Sequence, residues 1–496
     1  MEYGCSLSIK IYYKYDLAIG FKYFCIFKFS IGTCLRMKSI QFKKHFNRNL
    51  ILAFPVILSQ VGQVLVGVVD NLMVGPLGAN PLAAASFANA VFFNIMIFGM
   101  GIAFGLTPLV GTAFGEKDVK AVGRYFKNGI FINLVTGVLL SVAMYFATFA
   151  MPYLGQEEAV VEKAIPYFHL LNASMLPMML FFHFKQFNEG LESTKPAMFV
   201  SVGSNLLNIG LNYVFIYGHF GFEAMGLQGA GLATLISRIL TGVGLAIYTL
   251  RSSYFKPYID AMRLVRIRKE ACRDILKISL PISGQMLMEM MVFSIGAIMI
   301  GWISPEAQAA HQIVIGMVAI TFMVATGISS ATTIIISNEL GKKNFIAMRD
   351  AARTAFVMAV GFMAVTAVLF TLWKNWLPSF YVKPEEAEVL TIAASLMAVA
   401  GFFQLFDGAQ VVALGALRGL KDVKIPTLLT LFAYWFLGLP TSYFLAFKFG
   451  LGAKGVWYGF LVGLGSAGIM LSIRFEWIQR RMREKNEEEL TNNAVL

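Results

Sequence analysis

The sequence predicts an all-α integral membrane protein in which twelve transmembrane helices form two pseudo-symmetric six-helix bundles. Three observations lead to this prediction. First, 57% of the 496 residues are hydrophobic and only 14% are charged, which is too little charge for the surface of a soluble protein of this length. Second, the apolar residues form continuous runs rather than alternating patterns, which favours helices over strands. Third, the second half of the chain repeats the first.

Twelve apolar stretches are long enough to cross a membrane, which takes about 20 residues per helix. They lie at residues 49–74, 83–111, 126–150, 162–186, 197–217, 226–249, 273–301, 307–337, 352–373, 388–414, 425–446 and 455–477. Six stretches fall in each half of the chain, and the loops between them are too short to hold a soluble catalytic domain.

The repeat has an offset of 226 residues, so that Pro55 recurs as Pro281. Further pairs keep this offset: Met73 and Met299, Gly75 and Gly301, Gly101 and Gly327, Thr107 and Thr333, Gly115 and Gly341. A repeat of this length in an apolar chain is typical of transporters that enclose a substrate path between two homologous halves.

These boundaries divide the chain into five segments. We expect an N-terminal extension (1–48) that is disordered or interfacial, a six-helix lobe (49–250), a basic cytoplasmic linker (251–272), a second six-helix lobe (273–479) and a charged, disordered cytoplasmic tail (480–496). Met37 opens a conventional start just before the first helix. We therefore expect residues 1–36 not to belong to the functional protein.

The net charge of +13 does not indicate nucleic-acid binding, because the basic residues are unevenly distributed between the loops. With the N-terminus inside, the cytoplasmic segments from Met37 onward carry 30 Lys and Arg, and the outer loops carry 5. This is the positive-inside bias, which predicts that both termini are cytoplasmic. The basic linker is expected to lie near anionic headgroups, with a specific ligand site there as the alternative.

No enzyme motif is found. The sequence lacks a phosphate-binding loop, a metalloprotease His–Glu pair and a nucleophile elbow, so we expect neither an enzyme nor an ATP-driven pump. The four cysteines give no disulfide framework. Coupling to an ion gradient, without a further cofactor, becomes the expected energy source.

Three acids lie well within the predicted spans: Asp70, Glu289 and Asp407. Charge in hydrocarbon is costly and usually functional. A buried carboxylate can bind a cation, or take a proton because desolvation favours its neutral form. Glu289 and Asp407 therefore form the candidate cation-coupling site, with Na⁺ as a candidate ligand of both. The alternative is that each is a structural carboxylate tied to a neighbouring donor.

The two halves differ in their polar residues. Gln63 stands at the repeat position of Glu289, and Asp70 stands opposite a glycine. Asn205, Asn208 and Asn212 share one face of the fifth helix. We expect these five polar residues to form a cluster in the N-terminal lobe, although hydrogen-bonding between helices would explain the asparagines equally well.

Other polar residues inside the spans carry less information. His183 and His311 are expected to be packing residues. Arg238 is identified as the only arginine clearly inside a span, where it either pairs with an acid or extends to the inner surface. Phe406, Met286 and Met290 are candidate substrate contacts, since aromatic faces and flexible thioethers suit bulky organic cations.

Four segments carry a resemblance to a known family. They are residues 70–75 (DNLMVG), 281–289 (PISGQMLME), 407–422 (DGAQVVALGALRGLKD) and 434–440 (YWFLGLP). Through them the chain resembles the multidrug and toxic compound extrusion (MATE) family, NorM-like branch, from about Asn49 to Trp477.

The resemblance implies a MATE-type fold, with two bundles related by an axis along the membrane normal around a V-shaped cavity. It implies antiport of organic cations against sodium or protons. The acids that match Glu289 and Asp407 belong to the family's C-terminal cation site. The acid that matches Asp70 and the asparagines that match Asn208 and Asn212 belong to its N-terminal polar cluster. Phe403 departs from the pattern, because a tyrosine often precedes the second acid by four residues. A hydroxyl ligand is thereby lost and an aromatic face remains.

The leading hypothesis is a secondary active multidrug efflux antiporter of the bacterial inner membrane, a monomer that exports small organic cations in exchange for Na⁺ or H⁺. Family grounds favour sodium. The alternative is a flippase for lipid-linked saccharides of the related superfamily, whose anionic pyrophosphates would require several Arg or Lys in the cavity. The sign of the charge in the cavity distinguishes the two.

Overall fold

A computed structural model describes residues 39–382 and 386–495, which leaves the expectations for residues 1–36 outside the described residues. Within the described ranges, twelve helices are long and apolar enough to cross a membrane, and no residue is assigned to a strand. The predicted number of helices and the all-α class are therefore confirmed. We number these helices span 1 to span 12 in chain order.

Spans 1 to 6 form the N-terminal lobe, and two of them are interrupted by one residue, at Gly105 and at Ser174. Their helices are Ser39–Val74, Ala79–Phe104 continued by Leu106–Gly115, Val119–Ala150, Glu158–Ala173 continued by Met175–Gly190, Lys195–Tyr217 and Gly226–Arg251. A short helix, Lys256–Leu264, lies in the linker.

Spans 7 to 12 form the C-terminal lobe. Their helices are Lys269–Gly301, Pro305–Gly341, Phe345–Leu372, Ala387–Gly419, the segmented span Lys424–Lys448 and Gly452–Val495. Span 11 is segmented because two stretches of it, Phe432–Gly438 and Phe444–Lys448, are π-helical. Wide turns of this kind are uncommon and are frequent at functional sites.

The helices extend further than the apolar stretches that predicted them. Span 1 begins at Ser39, ten residues before the predicted start, and span 12 continues to Val495. The prediction of a disordered tail from Arg480 was wrong. Its Glu, Lys and Arg residues are good helix formers, and opposite charges recur at helical spacing, so the helix continues beyond the membrane.

The sequence repeat is preserved in backbone geometry. Asp118 caps span 3 by accepting a hydrogen bond from the Ala121 N–H at 2.9 Å, and Asn344 caps span 9 in the same way through Ala347 at 3.2 Å. Both pairs are separated by the repeat offset. Short polar side chains at this position satisfy an N–H that the first helical turn leaves unpaired.

The lobes contact each other at one end of the molecule, the end that carries the basic loops and the linker (the basic end). Spans 2 and 8 cross there through Gly115 and Gly341. A Cβ atom on Gly115 would lie 2.1 Å from the carbonyl oxygen of Asn338, and one on Gly341 would lie 2.1 Å from that of Thr112. Only glycine lets the two backbones approach this closely.

An ion-pair network (the basic-end clamp) reinforces this contact. Arg48, at the start of span 1, donates to Glu192 of its own lobe at 2.5 Å and to Glu339 of the other lobe at 2.7 Å. Asn338 donates to Glu192 at 2.7 Å, and Lys342 pairs with Glu339 at 3.1 Å. Glu339 is only 4% exposed, whereas the side chains of Arg48, Glu192 and Lys342 are partly exposed, so the network is partly buried and ties the two lobes together at this end.

In the opposite half of the molecule each lobe has its own hydrophobic core. Val74, Ala84 and Phe92 belong to the N-terminal core, and Met299 and Ile300 belong to the C-terminal core. By contrast, two of the clusters nearer the basic end combine residues of both lobes. The arrangement agrees with the V-shaped cavity that the resemblance implies, with its apex at the basic end.

The crossing of spans 2 and 8 generates a stability prediction. Gly115→Ala would place a methyl group against the Asn338 carbonyl, so the helices must separate, at a cost of about 1–3 kcal/mol. We expect a lower unfolding temperature of the purified protein in detergent. Gly361→Ala is the matched control, because nothing lies within 4 Å of its Cβ position. Equal unfolding temperatures for the two variants would contradict the close crossing.

Candidate functional site

The structure brings Glu289 of span 7 and Asp407 of span 10 together in the C-terminal lobe. The two carboxylates lie close enough to interact electrostatically. Asp407 is 3% exposed, whereas Glu289 reaches the wall of a cavity between the lobes. Two neighbouring carboxylates repel each other when both are ionised, so a cation or a proton bound beside them would relieve that repulsion.

Tyr434 is a member of this site that sequence reasoning did not assign. Its hydroxyl donates to Glu289 Oε1 at 3.0 Å, and the ring is 3% exposed. The residue lies in the first π-helical stretch of span 11. In the sequence, Tyr434 was noted only as the first residue of the segment 434–440, which carries the family resemblance. Its contact with Glu289 joins residues 145 positions apart, which no local pattern encodes.

Gln410 completes the surroundings of Glu289. Its Nε2 lies 3.4 Å from Glu289 Oε1, and the residue has no exposed surface. Its other amide atom, Oε1, is buried without a hydrogen-bond partner in the described part of the chain. A buried carbonyl oxygen is costly to leave unpaired, so a cation beside it would be stabilised.

Phe403 lies next to this site but belongs to the apolar core. Its ring packs against Trp457 at a centroid distance of 5.6 Å and against Phe293 at 6.3 Å, and only 2% of it is exposed. The sequence predicted that phenylalanine here costs the site a hydroxyl group. In the structure, Tyr434 supplies a hydroxyl from another helix.

The five polar residues predicted for the N-terminal lobe also come together. Asn212 donates to Asp70 at 2.5 Å and contacts Asn208 at 3.3 Å. Asp70, Asn208, Asn205 and Gln63 line a pocket of about 500 Å³. Asp70 is therefore held by the uncharged amide of Asn212.

Arg238 takes a place in this pocket that the sequence did not predict. We expected it to pair with an acid or to extend to the surface. Asp70 attracts it electrostatically, although no ion pair within 4.0 Å joins them in the described chain. Its Nη1 donates to Ser174 Oγ at 2.7 Å, and its guanidinium lies 4.4 Å from the centre of the Phe92 ring. The arginine lines the pocket together with Asp70, so it adds a fixed positive charge to the polar cluster.

Packing explains why Asp70 has no counterpart in the other lobe. The repeat position is Gly296, where a Cβ would lie 2.1 Å from Phe460. In the N-terminal lobe the residue equivalent to Phe460 is Thr234, which lines the pocket beside Asp70. In the C-terminal lobe an aromatic ring therefore fills this space. In the N-terminal lobe the same space is a polar pocket.

A central cavity of about 430 Å³ lies between the lobes. Its apolar wall includes Phe93, Phe104, Phe322, Met96, Met100, Met286 and Met323. Three charged residues line it: Glu189, Glu289 and Arg418. Of the predicted substrate contacts, Met286 is a lining residue. Phe406 instead packs against the C-terminal core, and Met290 is not among the described lining residues.

Two of these charges were missed because they lie just beyond the predicted apolar stretches. Glu189 follows the stretch that ended at 186, and Arg418 follows the one that ended at 414; both belong to the transmembrane helices. Arg238 is therefore not the only arginine inside a span. The two histidines pack against aromatic rings, His183 at a tilt against Phe126 and His311 edge-on against Trp457. Both nitrogens of His183 and the Nδ1 of His311 have no hydrogen-bond partner among the described residues.

Comparisons with known proteins agree with this geometry. The family model MatE matches residues 55–214 and again residues 281–444. The chain is 36% identical over 442 residues to "Probable multidrug resistance protein NorM" of Rhizobium meliloti (strain 1021), covering 88% of this chain and 94% of the relative. It is 32% identical over 440 residues to the protein of the same name from Agrobacterium fabrum, covering 88% and 95%.

Solved structures share the fold. The eukaryotic MATE transporter AtDTX14 superposes with a TM-score of 0.80 at 21% identity, covering 90% of this chain and 99% of that one. An outward-facing multidrug resistance MATE family transporter of the MOP superfamily gives 0.81 at 20% identity, with the same coverage. The two matches of the family model begin 226 residues apart, at Pro55 and Pro281, and so reproduce the repeat.

The hydrogen bond to Asp70 generates a second prediction. Asn212→Ala removes the donor and leaves the carboxylate unpartnered, so we expect a loss of stability of about 1–2 kcal/mol. Asn205→Ala is the control, since Asn205 lines the same pocket and makes no side-chain hydrogen bond within the described ranges. Thermal unfolding in detergent compares the two. A smaller loss for the Asn212 variant would contradict the assignment.

Proposed function

Since this chain belongs to the MatE family, we propose that it is a secondary active multidrug efflux antiporter, which exports small organic cations in exchange for Na⁺ or H⁺. One observation carries the proposal: Glu289, which interacts with Asp407, lines a largely apolar cavity between two repeated lobes. The names of the relatives support multidrug efflux. The twelve spans and the bacterial relatives identify a multi-pass protein of the inner membrane.

The charge of the central cavity disfavours the alternative, a lipid-linked saccharide flippase. Two carboxylates and one guanidinium line it, so its lining is negative when both acids are ionised. A pyrophosphate headgroup would require an excess of basic groups. An organic cation fits this lining better. The family, moreover, is one of transporters and not an enzyme class.

The position of the basic loops supports a cytoplasmic basic end. With that orientation the basic-end clamp closes the cytoplasmic side, and the structure is an outward-facing state. Opening to the cytoplasm must then break the pairs of Arg48 with Glu339 and of Asn338 with Glu192. The free energy for this step comes from binding of the ion or the substrate. Either ligand can shift the equilibrium between the outward-facing and inward-facing states only by the difference in its affinity for those states.

Two features near Glu289 support a coupling site for a small cation. Sodium prefers several oxygen ligands, including neutral ones, and the unpaired Gln410 Oε1 and the Tyr434 hydroxyl are neutral oxygens near the carboxylates. A proton would need only one carboxylate. Either cation would neutralise the repulsion between Glu289 and Asp407. Binding of the coupling ion and of a cationic substrate then compete for the same negative charge.

The first test concerns the two acids. Glu289→Gln and Asp407→Asn keep the shape of each side chain and remove its charge, so we expect ethidium efflux to be abolished while folded protein is retained. The control is Glu388→Gln, which changes an exposed acid of the same span as Asp407. Efflux is measured in inverted or reconstituted vesicles, with a sodium gradient and a pH gradient imposed separately to identify the coupling ion. Efflux at the wild-type rate by either Glu289→Gln or Asp407→Asn would refute the assignment of these two acids.

The second test concerns Tyr434. Tyr434→Phe removes a hydrogen bond to a charged group, which is worth about 1.5–3 kcal/mol, and removes one oxygen near the ion. We expect the sodium concentration that gives half-maximal efflux to rise at least tenfold, since about 1.4 kcal/mol corresponds to a factor of ten. Tyr443→Phe, an exposed tyrosine of the same span, should leave this concentration unchanged. An unaltered sodium dependence in the Tyr434 variant would argue against its role.

A further inference from the structure

Arg418 is a charged residue of the central cavity to which the coupling site gives no role. It is the penultimate residue of the helix Ala387–Gly419 in span 10, and it lines the cavity together with Glu289. Asp407 lies about three helical turns earlier on the same helix, in nearly the same direction around its axis, so the two residues share one face. Arg418 is the nearer of the two to the basic end.

Gln285 connects Arg418 to the coupling site. Arg418 Nη2 donates to Gln285 Oε1 at 3.3 Å. Gln285 precedes Glu289 by one helical turn of span 7, so their side chains are neighbours on one face. The glutamine is 4% exposed, and its Nε2 has no hydrogen-bond partner in the described part of the chain. The guanidinium is therefore held about one turn from the carboxylate of Glu289.

The charge of Arg418 is not neutralised by a closer acid. In the ranges that the structure covers, no ion pair within 4.0 Å joins it to a carboxylate, and its Nε has no hydrogen-bond partner. Glu289 is the acid that attracts it electrostatically. The other acid of the cavity wall, Glu189, is paired with Lys185 at 3.9 Å. The positive charge of Arg418 therefore acts on Glu289.

A basic residue at the C-terminus of a helix could serve only the helix dipole, but the N-terminal lobe argues against this explanation. Glu189 holds the place equivalent to Arg418, because each precedes a glycine whose Cβ position lies 2.8 Å from a side chain, Val110 in one lobe and Ile336 in the other. These two side chains are separated by the repeat offset. Since an acid occupies this place in one lobe, the helix end itself does not require a base.

We propose that Arg418 is a positioning residue of the coupling site, which acts through Glu289: its fixed positive charge competes with sodium for this carboxylate and keeps sodium binding weak. The inference rests on the proposed antiport function, with sodium as the coupling ion.

The physical reason is that a transport site must release its ion as well as bind it, so binding must not be too strong. Two neighbouring carboxylates with neutral oxygens beside them favour a bound cation. A guanidinium about one turn away repels that cation, and in a partly buried space this repulsion extends over several ångströms. Arg418 thereby offsets part of the attraction that the two acids exert.

The test measures sodium binding to the purified full-length protein in detergent by isothermal titration calorimetry. Arg418→Gln removes the competing charge and keeps a polar side chain, so we expect the dissociation constant for sodium to fall about tenfold. Arg418→Lys retains the charge and should stay within about twofold of wild type. A purely structural role for Arg418 predicts the opposite sign for Arg418→Gln, because local damage to the site weakens binding.

Arg353→Gln is the matched control. It removes one positive charge from the same lobe, but Arg353 pairs with Glu476 and does not line the described cavity, so the dissociation constant should not change. Four outcomes overturn the inference: an unchanged or raised dissociation constant in Arg418→Gln, an equal fall in Arg353→Gln or in Arg418→Lys, and no sodium binding by wild type and Arg418→Gln alike. A failure of the proposed function is distinguishable, since it would be an absence of ethidium efflux from wild-type vesicles under either gradient.

Discussion

The cost of placing charge in a hydrocarbon environment constrains this protein more than any other interaction. A carboxylate inside a span must find a donor, a cation or a proton. Asp70 finds Asn212, and Glu289 finds Tyr434 and Gln410. None of these partners carries a permanent positive charge. Two arginines, Arg238 near Asp70 and Arg418 near Glu289, act on these acids electrostatically, but neither forms an ion pair with them within 4.0 Å in the described chain.

The two lobes share a backbone plan and differ in the side chains that fill it. Helix caps and glycine crossings recur at the repeat offset, because they satisfy backbone requirements that are the same in both lobes. The polar pocket does not recur. Gly296 and Phe460 close in one lobe the space that Asp70 and Thr234 keep open in the other. Duplication thus provided the scaffold, and local packing gave each lobe a different chemical role.

Closure at the basic end connects these sites to movement. The crossing of Gly115 and Gly341 brings the backbones of spans 2 and 8 into direct contact, and Arg48 ties both lobes together through Glu192 and Glu339. The central cavity begins just beyond this contact. Glu289 and Arg418 therefore lie only a few helical turns from the clamp. Span 8 carries both Glu339 of the clamp and Thr333 of the cavity wall, so one helix contacts both places.

The sequence by itself determined the helical class, the number of spans, the division into two lobes and three of the acids inside the spans, Asp70, Glu289 and Asp407. Hydrophobic runs, a fixed repeat offset and isolated charges can all be recognised in the sequence alone. Only the tertiary structure decided that Tyr434 and Gln410 approach Glu289, that Glu189 and Arg418 face one cavity, and that Arg48 joins the lobes. These contacts connect residues over a hundred positions apart on different helices. They depend on how each helix is rotated about its axis, a quantity that packing sets and composition does not encode.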